Sequence, residues 1–524
     1  MAGRFSVFAS NGMVVSSREL ATLAGVQVLA CGGNAVDAAV ATAAVLGVVE
    51  PMSIGVGGDA FCLLYSARDG TLKGLDASGR SPFGASLEFF RKNGFAKMPE
   101  RGIHSITVPG AVHGWETLVR EYGTKPLGEL LQPAVFYAEN GFPVAEPTAE
   151  SWRESEALLR ADEGAALNYL VGGRAPRAGE IFRNPRMGKT LRCIADGGAE
   201  VFYRGEIAER IVRCSQRLGG IFTRRDFTEH RSEWVEPLSV RYRGYDVVQL
   251  PPATQGFVAL EMLKILEGFD LASLGYGSPS ALHLMIEAKK LAFADRDRHL
   301  ADRDFMEVPV GDLIAAGRAQ ELRGRIRMDA AARQWSGACN GADTEYVAAA
   351  DAQGNLVSFI QSNFMGFGSG VVEPETAIVL QNRGHLFSLE EHHPNRIGPH
   401  KRCAHTLMPG LVLKEGKPCL ALGLKGGHVQ PQVQVQLIVN LIDFGMGLQE
   451  AVSAARFNHV EGADVALEPE IPPAAARELA EKGHRLIRGS SASFGGAHAI
   501  AIDPDSGALI GAADPRKGGC ALGF

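Results

Sequence analysis

The spacing of hydrophobic and polar positions divides the chain into a helix-rich first part and a second part of short paired strands. In the first part, apolar residues recur three and four positions apart in 115–122, 127–140 and 256–268, which predicts amphipathic helices. Strand-like alternation is found near the two ends of this part, in 61–76 and 238–250. The pattern therefore predicts mixed α and β structure.

The second part of the chain is dominated by predicted hairpins. Residues 344–362, 411–423 and 497–512 each contain two strand-like runs around a short polar turn. Residues 432–444 show both strand alternation and helical spacing. Because this stretch is long and contains neither Gly nor Pro, we predict a helix there.

Composition narrows the class of protein. A chain of 524 residues exceeds what one hydrophobic core usually serves, and 46% apolar with 21% charged residues is ordinary for a soluble globular protein. A net charge of -6 without a dense Lys/Arg block argues against a nucleic-acid partner. The eight cysteines form no CxxC pair, so neither a zinc site nor a disulfide framework is indicated.

The N-terminal residues MAGRFSVFASNGMVVSS lack the charged start, apolar run and cleavage site of a secretory signal, so we expect a cytoplasmic protein. The most apolar stretch, 34–50, is too short to span a bilayer and carries Asp37. It is predicted to be a buried helix, and no membrane association is expected.

Two weaker signals concern cofactors. The glycine turn at 55–58 could hold an anion or form a tight turn under the core, and it lacks the dinucleotide fingerprint spacing. The histidines of 385–393 lack the H-x-x-x-H spacing of a helical metal site and suit a solvated loop. We therefore expect no metal and no organic cofactor.

Thr344, at the head of the first hairpin of the second part, is the candidate nucleophile. A threonine hydroxyl is weak alone, but an N-terminal threonine can use its own α-amine as general base. That amine has a reference pKa of roughly 7.7 to 8, so it is partly neutral near pH 7. Residues 323–343 are small, polar and basic, and are predicted to form a flexible surface linker suited to an internal cut. Taken alone, a threonine at a strand start is usually an ordinary strand residue.

A series of motifs in fixed order along the chain resembles the γ-glutamyltranspeptidase family. CGGNAVDAAVA begins at Cys31, SIGVGGDAF begins at Ser53, and HLMIEAKKLAFADRDRHLADRDF begins at His283. After Thr344 come GFGSG, IVLQN, PHKR, GLKGGHVQPQ, IDFG, ARFNH and GAADPR. The resemblance implies a four-layer αββα sandwich of the N-terminal nucleophile hydrolase type, built from two subunits cut from one precursor. Those subunits would be 1–343 and 344–524.

The same resemblance implies roles for several residues. The peptide bond between Asp343 and Thr344 would be cut autocatalytically, and Thr344 would then be the nucleophile. Ser362 corresponds to a second hydroxyl residue that supports the nucleophile in the family. Gly426 and Gly427 correspond to the family's oxyanion-hole glycines, with a flexible loop after a strand as the alternative.

The positions that bind substrate in the family differ in this chain. Leu87 stands where the family has an arginine for the α-carboxylate, and Arg383 stands where the family binds the α-amino group. A cation there would repel a γ-glutamyl ammonium but could clamp a carboxylate. His405 suits either a core histidine or a pocket donor. The predicted substrate-binding residues are Arg383, Asn382, His405, Thr406, Lys425 and His428.

These differences resemble the family's divergent amidohydrolase branches, which include oxamate amidohydrolase of purine nitrogen salvage and cephalosporin acylases. We predict hydrolysis of a short acidic amide, with oxamate to oxalate and ammonia as the named candidate. The alternatives are a γ-glutamyltransferase or glutathione hydrolase, a cephalosporin-type acylase, and an uncleaved, inactive relative that serves as a binding or structural protein. The expected assembly is an αβ heterodimer from one precursor, with a dimer of such units as the next larger form.

Overall fold

The computed structural model describes residues 4–332 and 343–524. Two seven-stranded sheets stack face to face, and helices cover both outer surfaces, so the expected αββα sandwich is confirmed. The helices of these residues are α1 (Glu19–Ala30), α2 (Ala35–Val49), α3 (Leu87–Lys92), α4 (Ala111–Tyr122), α5 (Leu127–Leu130), α6 (Gln132–Asn140), α7 (Glu146–Glu154), α8 (Glu156–Arg160), α9 (Glu163–Tyr169), α10 (Pro185–Tyr203), α11 (Glu206–Arg217), α12 (Arg224–Thr228), α13 (Gly256–Leu266), α14 (Leu271–Leu274), α15 (Pro279–His299), α16 (Val310–Leu313), α17 (Ala316–Arg323), α18 (Gln430–Ile442), α19 (Leu448–Ser453) and α20 (Pro473–Glu481). The strands are β1 (Val7–Ala9), β2 (Gly12–Ser16), β3 (Asp59–Ser66), β4 (Thr71–Ala77), β5 (Phe142–Pro143), β6 (Ile181–Phe182), β7 (Glu233–Val235), β8 (Leu238–Tyr242), β9 (Tyr245–Gln249), β10 (Asp343–Asp351), β11 (Leu356–Phe364), β12 (Gly410–Lys414), β13 (Lys417–Lys425), β14 (Phe457–His459), β15 (Asp464–Leu467), β16 (Arg485–Ile487), β17 (Gly496–Ile502), β18 (Leu509–Ala513) and β19 (Cys520–Gly523).

Both large sheets are antiparallel and draw strands from both parts of the chain. Sheet 1 has the order β1-β18-β17-β13-β12-β9-β8, and sheet 2 has the order β19-β2-β10-β11-β3-β4-β7. The hairpin β10–β11 occupies the interior of sheet 2, paired with β2 on one side and β3 on the other. The hairpin that carries the predicted nucleophile is therefore held on both edges by strands from the first part of the chain.

The space between the sheets is filled by alternating apolar side chains, as expected for strands that face a partner sheet. Met13, Phe61, Tyr346 and Leu411 belong to this inner core. The Ala/Val helix predicted at 34–50 is α2, and it is buried over almost its whole length under sheet 2. Its N-terminus is closed by a capping box, in which the Asn34 side chain accepts the N–H groups of Val36 and Asp37.

Most predicted elements are confirmed, including the helix α18 at the ambiguous stretch 432–444. Two expectations differ. The helix predicted over 127–140 is two helices, α5 and α6, and α6 has a proline in its first turn, where the missing N–H is tolerated. The strands β8 and β9 do not end the first part, because α13 to α17 follow them.

The predicted flexible linker 323–343 has structured ends. Arg323 is the last residue of α17, and Asp343 is the first residue of β10. The N–H of Ala331 donates to the carbonyl of Lys482 at 2.7 Å, so residues before 333 are attached to the folded body. The centre of the predicted linker, 333–342, lies outside the described residues.

The helices and the cysteines bear on the class of protein. Within the described residues, no helix is both long and apolar enough to cross a membrane. The seven cysteines in those residues are free thiols, in agreement with the absence of a predicted disulfide framework.

Candidate active site

Thr344 is fully buried near the start of β10. The pairing of β10 with β11 is irregular between Asp343 and Glu345, so Thr344 sits in a local bulge. A bulge re-aims one side chain without disturbing the rest of the strand. Here the Thr344 hydroxyl points to Ser362, and the two oxygens lie 3.4 Å apart.

Ser362 connects the candidate nucleophile to the peptide bond that precedes it. Its hydroxyl accepts hydrogen bonds from Thr344 Oγ1 and from the N–H of Phe364 at 2.7 Å. It donates to the carbonyl oxygen of Asp343 at 2.6 Å. One side chain therefore contacts both the hydroxyl and the carbonyl of the predicted cleavage site.

The two predicted oxyanion glycines form a turn after β13. Gly426 has φ +138 and Gly427 has φ +59, conformations that favour glycine. A Cβ on Gly426 would lie 2.6 Å from Val429 Cγ1, so a side chain there has no room. The amide nitrogen of Gln255 donates to the carbonyl of Gly427 at 3.1 Å and fixes the turn.

The strands that carry the nucleophile and the glycine turn face each other across the two sheets. The aromatic ring of Tyr346 lies over Gly423, where a Cβ would come within 2.1 Å of the ring. At the ends of these strands, Lys425 Nζ donates to the Glu345 carboxylate. The tertiary structure thus places the neighbours of Thr344 against the neighbours of Gly426.

Arg383 is a buried cation just beyond the end of β11. Its side chain is 1% exposed, and its guanidinium carbon lies 4.3 Å from the ring centroid of Phe364. Nη1 donates to Thr406 Oγ1 at 2.8 Å, whereas Nη2 has no hydrogen-bond partner within residues 4–332 and 343–524. Burial lowers the pKa of Arg383 to about 10, so it remains charged at neutral pH.

Asp59 and His405 complete the wall beside Arg383. His405 Nε2 lies 3.4 Å from Asp59 Oδ2, and the N–H of Leu407 donates to His405 Nδ1, which places the ring hydrogen on Nε2. Burial raises the pKa of Asp59 to about 7, although the charge of Arg383 opposes the rise. Burial also lowers the pKa of His405 well below its usual range, so the imidazole is neutral.

Three of the predicted substrate-binding residues share one cavity of about 260 Å³. His405, Thr406 and His428 line it, together with Gln255 and Arg296. Arg296 Nη1 lies 3.1 Å from His428 Nδ1. The cavity therefore lies between the glycine turn and the wall that contains Arg383.

Lys425 is not brought to that cavity. Its Nζ is 3.2 Å from Glu50 Oε1 and also donates to Glu345. Glu50 in turn accepts from Arg18 Nη2 at 2.7 Å and from Ser17 Oγ at 3.0 Å. Both carboxylates contact its ammonium group in this structure, and a role of Lys425 in substrate binding stays a prediction.

Both polar atoms of the Asn382 side chain are bonded to backbone groups. Its side-chain oxygen accepts the N–H of Met365 at 3.1 Å, and its nitrogen donates to the carbonyl of Glu100 at 2.7 Å. These bonds fix the loop that carries Arg383. Leu87, at the position of the family's arginine, packs against an apolar cluster that contains Phe90.

Sequence reasoning missed Asp59, Gln255 and Glu345. Asp59 stands inside the glycine-rich motif GVGGD, directly before an apolar strand, and a charged residue at such a position was the available signal. Glu345 directly follows the predicted nucleophile. Gln255 has no distinctive sequence context, and only its bonds to the carbonyls of Thr406 and Gly427 reveal it.

One histidine cluster elsewhere has donor atoms close enough for a metal ion. His283, Glu287 and His484 are buried, and their nearest donor atoms lie within 4.8 Å of one another. Lys290 Nζ donates to Glu287 Oε1 at 2.7 Å, however, and this ammonium group opposes cation binding there. The absence of a metal from the reaction stays a prediction.

Comparison with known proteins agrees with this geometry. The family model described as gamma-glutamyltranspeptidase matches residues 21–524. The chain belongs to the γ-glutamyltranspeptidase family. As a member it is an enzyme, a hydrolase of amide bonds with the N-terminal nucleophile hydrolase fold.

Family relatives carry several different activities in their names. The chain is 40% identical to the glutathione hydrolase-like YwrD proenzyme of Bacillus subtilis, over 99% of both chains. It is 36% identical to the oxamate amidohydrolase proenzyme of Klebsiella pneumoniae, over 98% of this chain and 99% of the relative. The crystal structure of a cephalosporin acylase from Bacillus halodurans superposes with a TM-score of 0.96 at 41% identity, covering 100% of this chain and 98% of that one.

Proposed function

We propose that this γ-glutamyltranspeptidase relative is a self-cleaving N-terminal threonine amidohydrolase whose acyl substrate carries a carboxylate and no α-amino group. Arg383 is the observation that carries the proposal. Its buried guanidinium has an Nη2 with no partner among the described residues, and a carboxylate is the acceptor that best satisfies such a donor. Oxamate, an amide joined directly to a carboxylate, is the named candidate substrate.

Self-cleavage would begin at the bond between Asp343 and Thr344. Thr344 Oγ1 attacks the carbonyl carbon of Asp343, the C–N bond breaks, and the hydroxyl proton passes to the departing nitrogen. Ser362 donates to that carbonyl at 2.6 Å and can stabilise the negative charge that develops on its oxygen. Water then hydrolyses the resulting ester, which leaves a carboxylate on Asp343 and a free α-amine on Thr344.

The exposed N-terminus would then act on the substrate. The α-amine of Thr344 accepts the hydroxyl proton as Oγ1 attacks the amide carbon, and the N–H groups of Gly426 and Gly427 stabilise the oxyanion. The proton passes to the leaving nitrogen, and ammonia departs from a primary amide. Water attacks the acyl ester by the same path in reverse, releases the acid and restores the threonine hydroxyl.

The substrate head group follows from charge. Arg383 would repel an α-ammonium group and attract an α-carboxylate. Asp59 is poorly suited to accept hydrogen bonds from a substrate ammonium group. Its carboxylate already accepts the N–H groups of Gly79 and Gly110 and contacts His405. These contacts favour a carboxylate-bearing amide over a γ-glutamyl compound.

A cephalosporin-type acylase is the second candidate, and the cavity favours it. The space of about 260 Å³ beside His405, Thr406 and His428 exceeds what a two-carbon acyl group needs. The similarity to a solved cephalosporin acylase supports the same candidate function. The two candidates share the threonine chemistry and differ in the length of the acyl chain.

A substrate series separates these candidates. Ammonia release would be measured for oxamate, malonamate, succinamate and glutaramate, beside product release from glutathione and from glutaryl-7-aminocephalosporanic acid. The expected result is turnover of oxamate with activity that falls as the chain lengthens. A maximum at glutaramate or the cephalosporin would support the acylase instead, and turnover of glutathione alone would contradict the proposal about Arg383.

The nucleophile is tested by Thr344→Ala. This variant should remain one chain of 55.8 kDa on a denaturing gel and hydrolyse none of the amides, because it lacks the attacking hydroxyl. Thr71→Ala, on the surface-side end of β4, is the control and should be cut and active. A cut, active Thr344→Ala protein would contradict the assignment of the nucleophile, and an uncut wild type would favour an inactive relative.

A further inference from the structure

The charged groups beside the candidate nucleophile form one buried network that spans both predicted subunits. Lys425 Nζ bonds to Glu345 and lies 3.2 Å from Glu50. Arg18 pairs with Glu50 at 2.7 Å, and Ser17 bonds to both carboxylates. All five of these side chains are buried. Burying so many charges is costly unless they are closely paired, so an arrangement of this kind needs a reason.

The position of the network in the chain suggests that reason. Glu345 directly follows Thr344, and Lys425 directly precedes Gly426. A bond between Glu345 and Lys425 therefore joins the residue after the nucleophile to the residue before the oxyanion turn. Catalysis by attack on a carbonyl requires these two groups to keep a fixed separation, and an error of about 1 Å can lower the rate roughly 100-fold.

The network also determines the charge around the cleavage site. Burial, followed by the charge of Glu50, raises the pKa of Glu345, whereas the charges of Arg18 and Lys425 lower the pKa of Glu50 against the effect of burial. Both carboxylates lie against the positive charges of Arg18 and Lys425. Lys517 lies beside this network, because its carbonyl accepts a hydrogen bond from Arg18 at 3.0 Å. Burial, followed by the charge of Lys425, lowers the pKa of the Lys517 side chain.

Other titratable groups lie near this network. Burial lowers the pKa of His498 to about 4, so that ring is neutral at pH 7. Asp343 is close enough to act on Lys425, and the carboxylate that cleavage would leave on it adds negative charge on the other side of Thr344. Lys425 is therefore a cation close enough to act on a free amine on Thr344 through the adjoining residue Glu345.

We propose that Lys425 is a positioning residue of this site: through Glu345 it holds Thr344 against the Gly426–Gly427 turn, and its charge keeps the amine exposed by cleavage in the neutral form. The inference rests on the proposed function, since it requires Thr344 to be the nucleophile. A neutral amine is the form that can accept the hydroxyl proton. Lys425 itself contacts neither the substrate nor the reacting atoms.

The first test needs no variant. The pH dependence of kcat/KM for the amide that the wild type hydrolyses best should have an acid limb below the reference amine pKa of about 7.7. An acid limb at or above pH 8 would overturn the electrostatic part of the proposal, because it would indicate an amine that no cation influences.

The second test uses Lys425→Met. Self-cleavage, followed on a denaturing gel, and kcat should both fall about tenfold or more, with KM within about twofold of the wild type. The acid limb should move to higher pH, because loss of a nearby cation favours the protonated amine. Lys414→Met, at the end of neighbouring strand β12, is the matched control and should leave all three measurements unchanged.

Removal of one buried charge can prevent folding, so the double variant Lys425→Met with Glu345→Gln provides a charge-balanced version. It leaves the Arg18–Glu50 pair intact and should show the same loss of kcat, whereas its acid limb should stay near that of the wild type because a cation and an anion are removed together. A folded double variant with kcat within threefold of the wild type would overturn the positioning role. Failure of Thr344→Ala to abolish activity would instead contradict the proposed function, so the two failures are distinguishable.

Discussion

At the scale of single residues, the unusual feature is a buried cation with one donor that has no partner in the part of the chain that the structure describes. Arg383 stacks on Phe364 and bonds to Thr406, which fixes its guanidinium plane while Nη2 stays available. Arginine in such a fixed geometry can bind a carboxylate through two parallel hydrogen bonds. Lysine offers a point charge without that geometry, so the residue type itself matters for the choice of substrate.

This arrangement predicts the effect of Arg383→Met. The variant should lose about 100-fold in kcat/KM for a carboxylate-bearing amide, which corresponds to about 2.7 kcal/mol of transition-state binding. Self-cleavage should continue, because the bonds of Thr344 and Ser362 do not involve Arg383, and two bands on a denaturing gel would confirm a folded protein. Arg383→Lys should show an intermediate loss.

Acetamide supplies the substrate control for that experiment, since it has no carboxylate for Arg383 to bind. Its slow hydrolysis should be the same in the wild type and in Arg383→Met. Equal kcat/KM values of the two proteins on oxamate and its longer homologues would remove the argument for a carboxylate site.

At the scale of elements, the site depends on how closely β10 and β13 approach each other. Tyr346 occupies the space over Gly423, so the separation of the two sheets at this point is set by one ring lying against one backbone. Thr344 is two residues before Tyr346 on the same strand. A substitution at Gly423 that displaces the Tyr346 ring should therefore also displace Thr344.

Gly423→Ala tests this coupling. The added methyl group would lie 2.1 Å from the Tyr346 ring, and relief of the clash should cost about 1–3 kcal/mol of unfolding free energy. Self-cleavage should slow as well, because β10 must shift. Chemical denaturation and gel analysis measure the two effects. Gly317→Ala in α17 is the control, because no atom of the described residues lies within 4 Å of the added methyl. Unchanged stability of Gly423→Ala would contradict the close approach.

At the scale of the whole molecule, the predicted cut does not separate two domains. Sheet 2 pairs β10 with β2 and β11 with β3, and sheet 1 pairs β12 with β9 and β18 with β1. Each of these pairs joins a strand from 1–343 to a strand from 344–524. The two products would thus share both sheets and the core between them, as expected of an αβ heterodimer.

The shared sheets predict that the cleaved protein stays together. Size-exclusion chromatography without denaturant should show both pieces in one peak, at 55.8 kDa or a multiple of it, whereas a denaturing gel separates them. A peak at twice that mass would support the dimer of αβ units. Elution of the two pieces at separate volumes under native conditions would contradict the strand pairing described here.

Local pattern was sufficient for many elements of this protein. Alternation and turn residues predicted the hairpin β10–β11, apolar content predicted the buried helix α2, and continuity without Gly or Pro predicted α18. These features depend on neighbours a few positions apart, which the sequence displays directly. The order of the motifs along the chain was sufficient to name Thr344, Ser362 and the two glycines as candidate residues.

Pairings between distant residues were decided only by the tertiary structure. The sequence cannot indicate that Lys425 bonds to Glu345 rather than to substrate, because 80 positions separate them and only the stacking of the two sheets brings them together. The same holds for Asp59 and His405, 346 positions apart. Charge in the chain is visible from the residue types. Whether a charged side chain has a bonded partner depends on which strands face each other. Lys425 bonds to Glu345 across the two sheets, whereas Arg383 has an Nη2 without a partner among the described residues.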